Sequence, residues 1–201
     1  MDFKLIIIKS GMIVGITGGI GGGKTTFSNL LRDMGFKVYD SDLEARRLQV
    51  EDNCVRTQMI ELFGRDVYSG NSLNRSLVAD VVFNNPGILQ QLNAIIHPVV
   101  QSDFREWTLL YPNEKYLFIE SAILFEAHFD KIVDKIILVT ASEETRIDRV
   151  VKRDGLTKEQ VKLRMKNQLS DEMKMKLSDV VVRTDRNEDL KVQLNDILNS
   201  L

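Results

Sequence analysis

Six of the chain's 12 glycines crowd into nine residues: Gly15, Gly18, Gly19, Gly21, Gly22 and Gly23. They follow an apolar run, Met12-Ile13-Val14, and lead directly into Lys24-Thr25. The segment Gly18-Gly19-Ile20-Gly21-Gly22-Gly23-Lys24-Thr25 matches G-x-x-x-x-G-K-[ST]. Phosphate oxygens have to be met by several backbone N–H groups converging on one point. That requires backbone angles closed to residues with a Cβ, and an approach a side chain would block. A strand before the loop and a helix after it supply the confirming context, because the helix adds the positive end of its dipole. Lys24 reaches the β- and γ-phosphates of a nucleoside triphosphate, and the Thr25 hydroxyl is a ligand for Mg²⁺. The dinucleotide spacing G-x-G-x-x-G fails, since a count from Gly19 puts Lys24 where the third glycine belongs.

Which triphosphate chemistry follows is narrowed by what is missing. No glycine has an aspartate three residues before it, and Asn-Lys-x-Asp does not occur, so the GTPase signatures are absent. The 27 Lys and Arg against 29 Asp and Glu leave a formal charge of -2, too even for a nucleic-acid binder driven by bulk charge. A 43% hydrophobic content over 201 residues supports a packed core. The single cysteine, Cys54, allows no intramolecular disulfide and fits a reducing compartment. The apolar run Leu5-Ile6-Ile7-Ile8 is shorter than the roughly 7–15 residues of a secretory signal. The chain is therefore placed in the cytoplasm, with no membrane and no nucleic acid as partner. Residues 1–11 read as an N-terminal extension before a domain starting at Met12, or equally as an extra strand.

Hydrophobic patterning predicts strands at Met12–Thr17, Phe36–Tyr39, Tyr116–Ile119, Lys135–Val139 and Val180–Val182. Helical patterns fill the spaces: Lys24–Met34 closed by Gly35, and a helix opened by the capping-box spacing Ser41-Asp42-Leu43-Glu44. Further helices are expected over 55–63, 74–84, 87–96 and 98–109, with breaks near Gly64, Gly70, Asn85-Pro86 and His97-Pro98. Thr140-Ala141-Ser142-Glu143 opens another, ending near Gly155, then Thr157-Lys158-Glu159-Gln160 the next, and Asn187 a C-terminal helix. Strands separated by helices give an α/β fold: a three-layer P-loop NTPase arrangement around a five-stranded parallel sheet. The core is assigned to 12–40, 111–141 and 178–201. An all-helical insertion occupies 41–110, and a helical lid 142–177.

Carboxylates gather at strand ends. Asp40 and Asp42 follow the second strand, where the ends of parallel strands converge on a ligand cleft. Asp42 is placed to hold an attacking hydroxyl, while both also suit a helix N-cap. Glu120 follows the third strand and suits Mg²⁺ contact through water. The lid segment 146–166 carries eight Lys and Arg against three acids. Arg146, Arg149 and Arg153 are spaced to share one helical face, as charge neutralisation over a triphosphate requires. His97 and Cys54 show no metal-ligand spacing to anything, so no zinc site is expected, and Phe104 and Trp107 read as core. A small-molecule kinase, a nucleoside-monophosphate kinase and a regulatory ATPase all stay open at this point.

Several segments together resemble the dephospho-CoA kinase family: Gly15–Thr25, Val38-Tyr39-Asp40-Ser41-Asp42 with Ala45-Arg46, Leu92–Pro98, Ile123–Glu126, and Arg149–Leu156 with Arg164 and Gln168. The likeness runs from Met12 to about Leu190. It implies ATP-dependent phosphorylation of the ribose 3′-hydroxyl of dephospho-coenzyme A, with Mg²⁺, by a monomer or small homo-oligomer. The nucleotide set it implies is Gly19, Ile20, Gly21, Gly22, Gly23, Lys24, Thr25 and Thr26, with Arg149 and Arg153 closing on the phosphates. The acceptor set is Thr17, Asp40, Asp42, Arg46, His97 and Glu126. Lys24, Asp42 and Arg149 carry the catalysis, and Thr25 and Glu120 the metal. Four positions depart from the family's usual residues: Gly22 (serine), Ala122 (proline), Arg146 (glutamine) and Thr184 (asparagine, which tends to contact adenine). Gly22 is expected to matter little, since the loop works through its backbone.

Overall fold

The computed structural model describes residues 11–83, 85–185 and 189–201. The expected extension or extra strand over 1–10, residue 84 and the start of the last helix at Asn187 lie outside them.

In chain order, β1 (Met12–Thr17) leads through the glycine loop into α1 (Lys24–Asp33) and β2 (Lys37–Asp40). Then come α2 (Ser41–Glu51), α3 (Asn53–Phe63), the short strands β3 (Tyr68–Ser69) and β4 (Ser72–Leu73), α4 (Arg75–Phe83) and α5 (Pro86–Leu109). The chain continues through β5 (Tyr116–Glu120), β6 (Lys135–Thr140), α6 (Glu143–Asp154), α7 (Lys158–Lys166), α8 (Asp171–Leu177), β7 (Val180–Arg183) and α9 (Leu190–Ser200). These divide into two compact units, one made of the residues up to Tyr39 with Tyr111–Leu201, the other of Asp40–Leu110.

The first unit is built on a five-stranded parallel sheet of order β2-β5-β1-β6-β7. β1 is central, with Met12 opposite Tyr116 and Ile16 opposite Glu120 on one side, and Val14 opposite Lys135 on the other. A central parallel strand has both faces covered, which is why these strands read as apolar runs rather than alternating ones. Val14, Ile16, Phe118, Ile137, Val139 and Val182 pack with Phe27 and Leu31 of α1 and Leu194 of α9. The register also aligns the carboxyl ends of β1, β5 and β6, which brings Thr17, Glu120 and Thr140 to one end of the sheet. No helix among the described residues is long and apolar enough to cross a membrane.

The second unit departs from the sequence reading in three places. It is not all helical: β3 and β4 form an antiparallel ladder, with Tyr68 opposite Leu73. Gly70, read as a helix breaker, takes φ 59° and turns the hairpin instead. Arg56 fastens it, lying 4.2 Å over the Tyr68 ring and donating to Gly70 O (3.0 Å) and Val50 O (3.1 Å). Nor does His97-Pro98 break a helix, since α5 runs through Pro98. The missing N–H costs one backbone bond, to the carbonyl of Ala94, but Ile96, Val100 and Phe104 are buried on both sides of it and hold the helix together. Finally, α2 is capped by Asp40 rather than Ser41: its Oδ1 accepts from Asp42 N (3.1 Å) and Leu43 N (3.0 Å).

In the first unit α6 is capped two residues later than its box suggests, by Ser142 accepting from Thr145 N. The box at Thr157 and Gln160 forms with both bonds in place.

Candidate active site

The site is built where β1 hands over to α1. The N-cap of α1 is Gly23 at φ 97°, ψ 14°, with no side-chain cap and no acid in the first turn. A helix start left without a protein anion is a standing site for a phosphate. The glycines are required by contact as well as by angle. A Cβ at Gly18 would stand 2.0 Å from Val139 O, and one at Gly21, where φ is 78°, 2.4 Å from Arg146 O. Gly21→Ala therefore combines a left-handed backbone with a clash against main chain. We expect it to cost the loop about 1–3 kcal/mol or more. ATP affinity measured by calorimetry should fall by an order of magnitude or more, with the melting temperature lower by about 2–12 °C.

Gly22 corrects an expectation. A Cβ there would fall 2.6 Å from Val139 O. The loop thus lies closer to β6 than a serine allows, and the glycine is not an indifferent replacement.

Around this loop the structure gathers a set of polar groups. Lys24 Nζ donates to Gly18 O at 2.8 Å, folding the ammonium back across the loop. Thr25, one residue into α1, donates its hydroxyl to Glu120 Oε1 at 3.4 Å. Glu120 is only 7% exposed although it is charged and ends a strand. Thr17 at the end of β1 is fully buried, and its Oγ1 has no hydrogen-bond partner. An unpartnered buried hydroxyl costs about 1–3 kcal/mol, so a ligand or water at that point has something to gain.

The three lid-segment arginines share a helical face, yet their guanidinium groups go to three different partners. Arg149 turns to the loop, donating to Gly21 O (3.3 Å), Thr184 Oγ1 (2.7 Å) and Thr184 O (2.9 Å). Arg146 is buried and paired with Asp171. Arg153 is held by both oxygens of Asp154 (2.7 and 3.0 Å) with most of its side chain in solvent. Periodicity gave the face, and the acceptors nearby, Asp171, Thr184 and Asp154, decided the partners. On the same helix Asp148 lies 3.4 Å from Lys158 of α7.

Beside the loop lies a cavity of about 230 Å³ lined by Gly23, Thr26, Arg149, Thr184 and Leu190. Whole-ligand pockets run to roughly 300–1,000 Å³, so this one suits a single ring system. Thr184 also donates to Gly22 O (3.0 Å), so its hydroxyl both accepts from Arg149 and holds the loop.

Glu126 is placed by contacts the sequence did not signal. Its Oε1 accepts from Leu169 N (2.8 Å) and lies 3.9 Å from Lys174 Nζ. Lys174 is fully buried and donates to Ala122 O (2.9 Å). Burial pushes its pKa down, while Glu126 and Asp171 oppose the shift. Lys174, Asp171 and Gln168, whose Oε1 accepts from Ile20 N (3.0 Å), are the participants that sequence reasoning missed as site residues. In a charged run like Ser170-Asp171-Glu172-Met173-Lys174, only tertiary burial distinguishes them.

In the second unit, Asp42 and Arg46 are exposed one turn apart on α2, and Asp40 is its cap. His97 is half-buried within α5.

Comparisons with known proteins agree with this geometry. The profile of the dephospho-CoA kinase family matches residues 12–189. A dephospho-CoA kinase of Bacteroides fragilis is 38% identical over 185 residues, 92% of this chain and 90% of that one. A crystal structure from Thermus thermophilus superposes with a TM-score of 0.84 at 34% identity, covering 96% of this chain and 99% of that one. The dephospho-CoA kinase from Campylobacter jejuni shares the fold, with a TM-score of 0.68 at 23% identity and coverage of 94% and 96%. With a phosphate loop of this construction at the end of its central strand, and likeness over nearly its whole length, the chain belongs to the dephospho-CoA kinase family.

Proposed function

We propose that this chain transfers the γ-phosphoryl group of ATP to the ribose 3′-hydroxyl of dephospho-coenzyme A, giving coenzyme A and ADP. The family match over 12–189, laid on a loop that brings Lys24, Thr25, Glu120 and Arg149 together, is the observation that carries this reading. A cytoplasmic location fits the soluble donor and acceptor and the single cysteine.

The division of labour follows from the chemistry. The acceptor oxygen forms a bond to Pγ as the bond from Pγ to the β–γ bridging oxygen breaks, and the acceptor proton passes to the Asp42 carboxylate. A carboxylate is a weak base toward a sugar hydroxyl. In a loose transition state the proton leaves late, so Asp42 acts chiefly by aiming the oxygen. Lys24 and the N–H groups of Gly19–Thr26 hold the phosphates, and Arg149 meets charge spreading over the equatorial oxygens. Arg153 joins it once released from Asp154. Thr17, Asp40, Arg46, His97 and Glu126 complete the acceptor side. In this reading 41–110 receives the acceptor and 142–177 is the lid.

The residues also fit a divalent cation. Thr25 Oγ1 and Glu120 Oε1 are hard oxygen donors 3.4 Å apart. Among the described residues no group of three or more His, Cys, Asp or Glu could hold a metal by itself. Mg²⁺ suits such a sparse set, because it keeps waters and takes the rest of its ligands from the phosphates. When bound it neutralises charge across the β- and γ-oxygens.

The test is ADP release from ATP in the presence of dephospho-CoA, AMP, CMP, shikimate or no acceptor. Dephospho-CoA alone should accelerate it strongly. Equal rates with and without dephospho-CoA overturn the reading.

A further inference from the structure

Arg146 carries a charge into a place where charge is costly. Its side chain is 6% exposed, and its carboxylate partner among the described residues is Asp171 at the start of α8. A buried ion pair of this kind adds little net stability, because desolvation of both groups offsets their attraction. Stability alone does not explain it.

What the guanidinium touches is the apex of the phosphate loop. Nε donates to Ile20 O at 3.0 Å. A Cβ added to Gly19 would stand 2.1 Å from one terminal nitrogen and 2.8 Å from Cζ, so the guanidinium end packs directly against that glycine. The main chain of Arg146 crowds Gly21, where a Cβ would stand 2.4 Å from its carbonyl oxygen. Three consecutive loop residues are thus shaped against one arginine. Ile20 is gripped at its other end as well: its N–H donates to Gln168, and its side chain packs against Ile147, Val150 and Val161 of α6 and α7.

The contacts close into a ring. Asp171 Oδ2 receives Arg146 and also the Thr140 hydroxyl (2.5 Å). Thr140 O receives Thr184 N (2.9 Å), and the Thr184 hydroxyl donates to Gly22 O (3.0 Å). From Ile20 through Arg146, Asp171, Thr140 and Thr184 to Gly22, the loop is braced on both flanks by one connected network.

We propose that Arg146, neutralised by Asp171, is a positioning residue for ATP. It touches no reacting atom, and acts by holding Gly19–Gly21 in the form whose N–H groups converge on the phosphates. This deepens the kinase reading and rests on ATP as the donor.

The experiment compares Arg146→Ala, Arg146→Lys, Asp171→Asn and the Arg146→Ala/Asp171→Asn double variant in the full chain. ATP affinity is measured by calorimetry, KM for ATP and for dephospho-CoA by turnover, and melting temperature alongside. A misplaced loop costs up to about a hundredfold. Arg146→Ala should weaken ATP binding by about tenfold to a hundredfold, with KM for dephospho-CoA within about twofold of the native value. Arg146→Lys keeps the charge opposite Asp171 but has no Nε for Ile20 O. It should recover the melting temperature without recovering ATP affinity. The double variant should bind ATP no worse than Arg146→Ala, since both changes break one network. The proposal is overturned if Arg146→Ala binds ATP within twofold of native, if lysine restores affinity and stability together, or if both KM values rise alike. Should Arg146→Ala fail to fold, the lysine variant decides alone. Calorimetric ATP binding needs no acceptor, so a failure of dephospho-CoA turnover in the native chain leaves this comparison standing.

Discussion

Lys24→Ala lowers kcat for phosphoryl transfer by about two to three orders of magnitude, the usual loss when a donor aimed at developing charge is removed from a closed site. The ammonium starts α1 and already leans over the loop toward Gly18 O. It adds a full positive charge to the partial one of the helix start, and both point where the β- and γ-oxygens must lie. Alanine is the best helix former, so α1 keeps its structure and the melting temperature should hold within a few degrees. Steady-state turnover with saturating dephospho-CoA is the measurement. A kcat within tenfold of native would show that the charge on Lys24 is not what stabilises transfer.

Asp42→Asn lowers kcat by about two to four orders of magnitude, the range of a positioned acid–base group, and leaves ATP affinity within about twofold. The structure makes this a clean substitution. Asp40, not Asp42, caps α2, and it does so by accepting from the main chain of Asp42 and Leu43. Asparagine at 42 therefore keeps the main-chain donor and nearly the same shape, and removes the negative charge together with the capacity to take a proton. ATP binding by calorimetry with turnover measured in parallel separates the two effects. Normal turnover would refute the role given to Asp42, and a matching loss of ATP binding would make it a nucleotide ligand.

The sequence made the phosphate loop legible because its chemistry is carried by local backbone geometry. Glycine at 21 and 23 is demanded by positive φ, and the next residues by what the loop must hold. The five strands were legible for a related reason: burial on both faces leaves apolar runs such as Ile136-Ile137-Leu138-Val139. Features decided by distant partners did not show. Pro98 reads as a breaker until the packing of Ile96, Val100 and Phe104 is known. Strands of two residues, such as β3 and β4, are too short for any period. Arg146, Arg149 and Arg153 look equivalent on a helical wheel, and part company only because Asp171, Thr184 and Asp154 stand where they do. Lys174 reads as a surface cation and is the most deeply buried charge described.

The strand order has a consequence for how the protein is made. β1 leaves the ribosome well ahead of both strands that flank it, which begin at Tyr116 and Lys135. At about 5–20 residues per second, the centre of the sheet waits roughly 5–20 s for its first neighbour. During that interval Ile13, Val14 and Ile16 are an apolar segment with open edges. All of Asp40–Leu110 is synthesised in the meantime, and it makes its own internal contacts from a single stretch of chain. The phosphate loop, although near the start of the sequence, is thus among the last parts to take its working shape, since Val139, Arg146, Asp171 and Thr184 all have to arrive before it is enclosed.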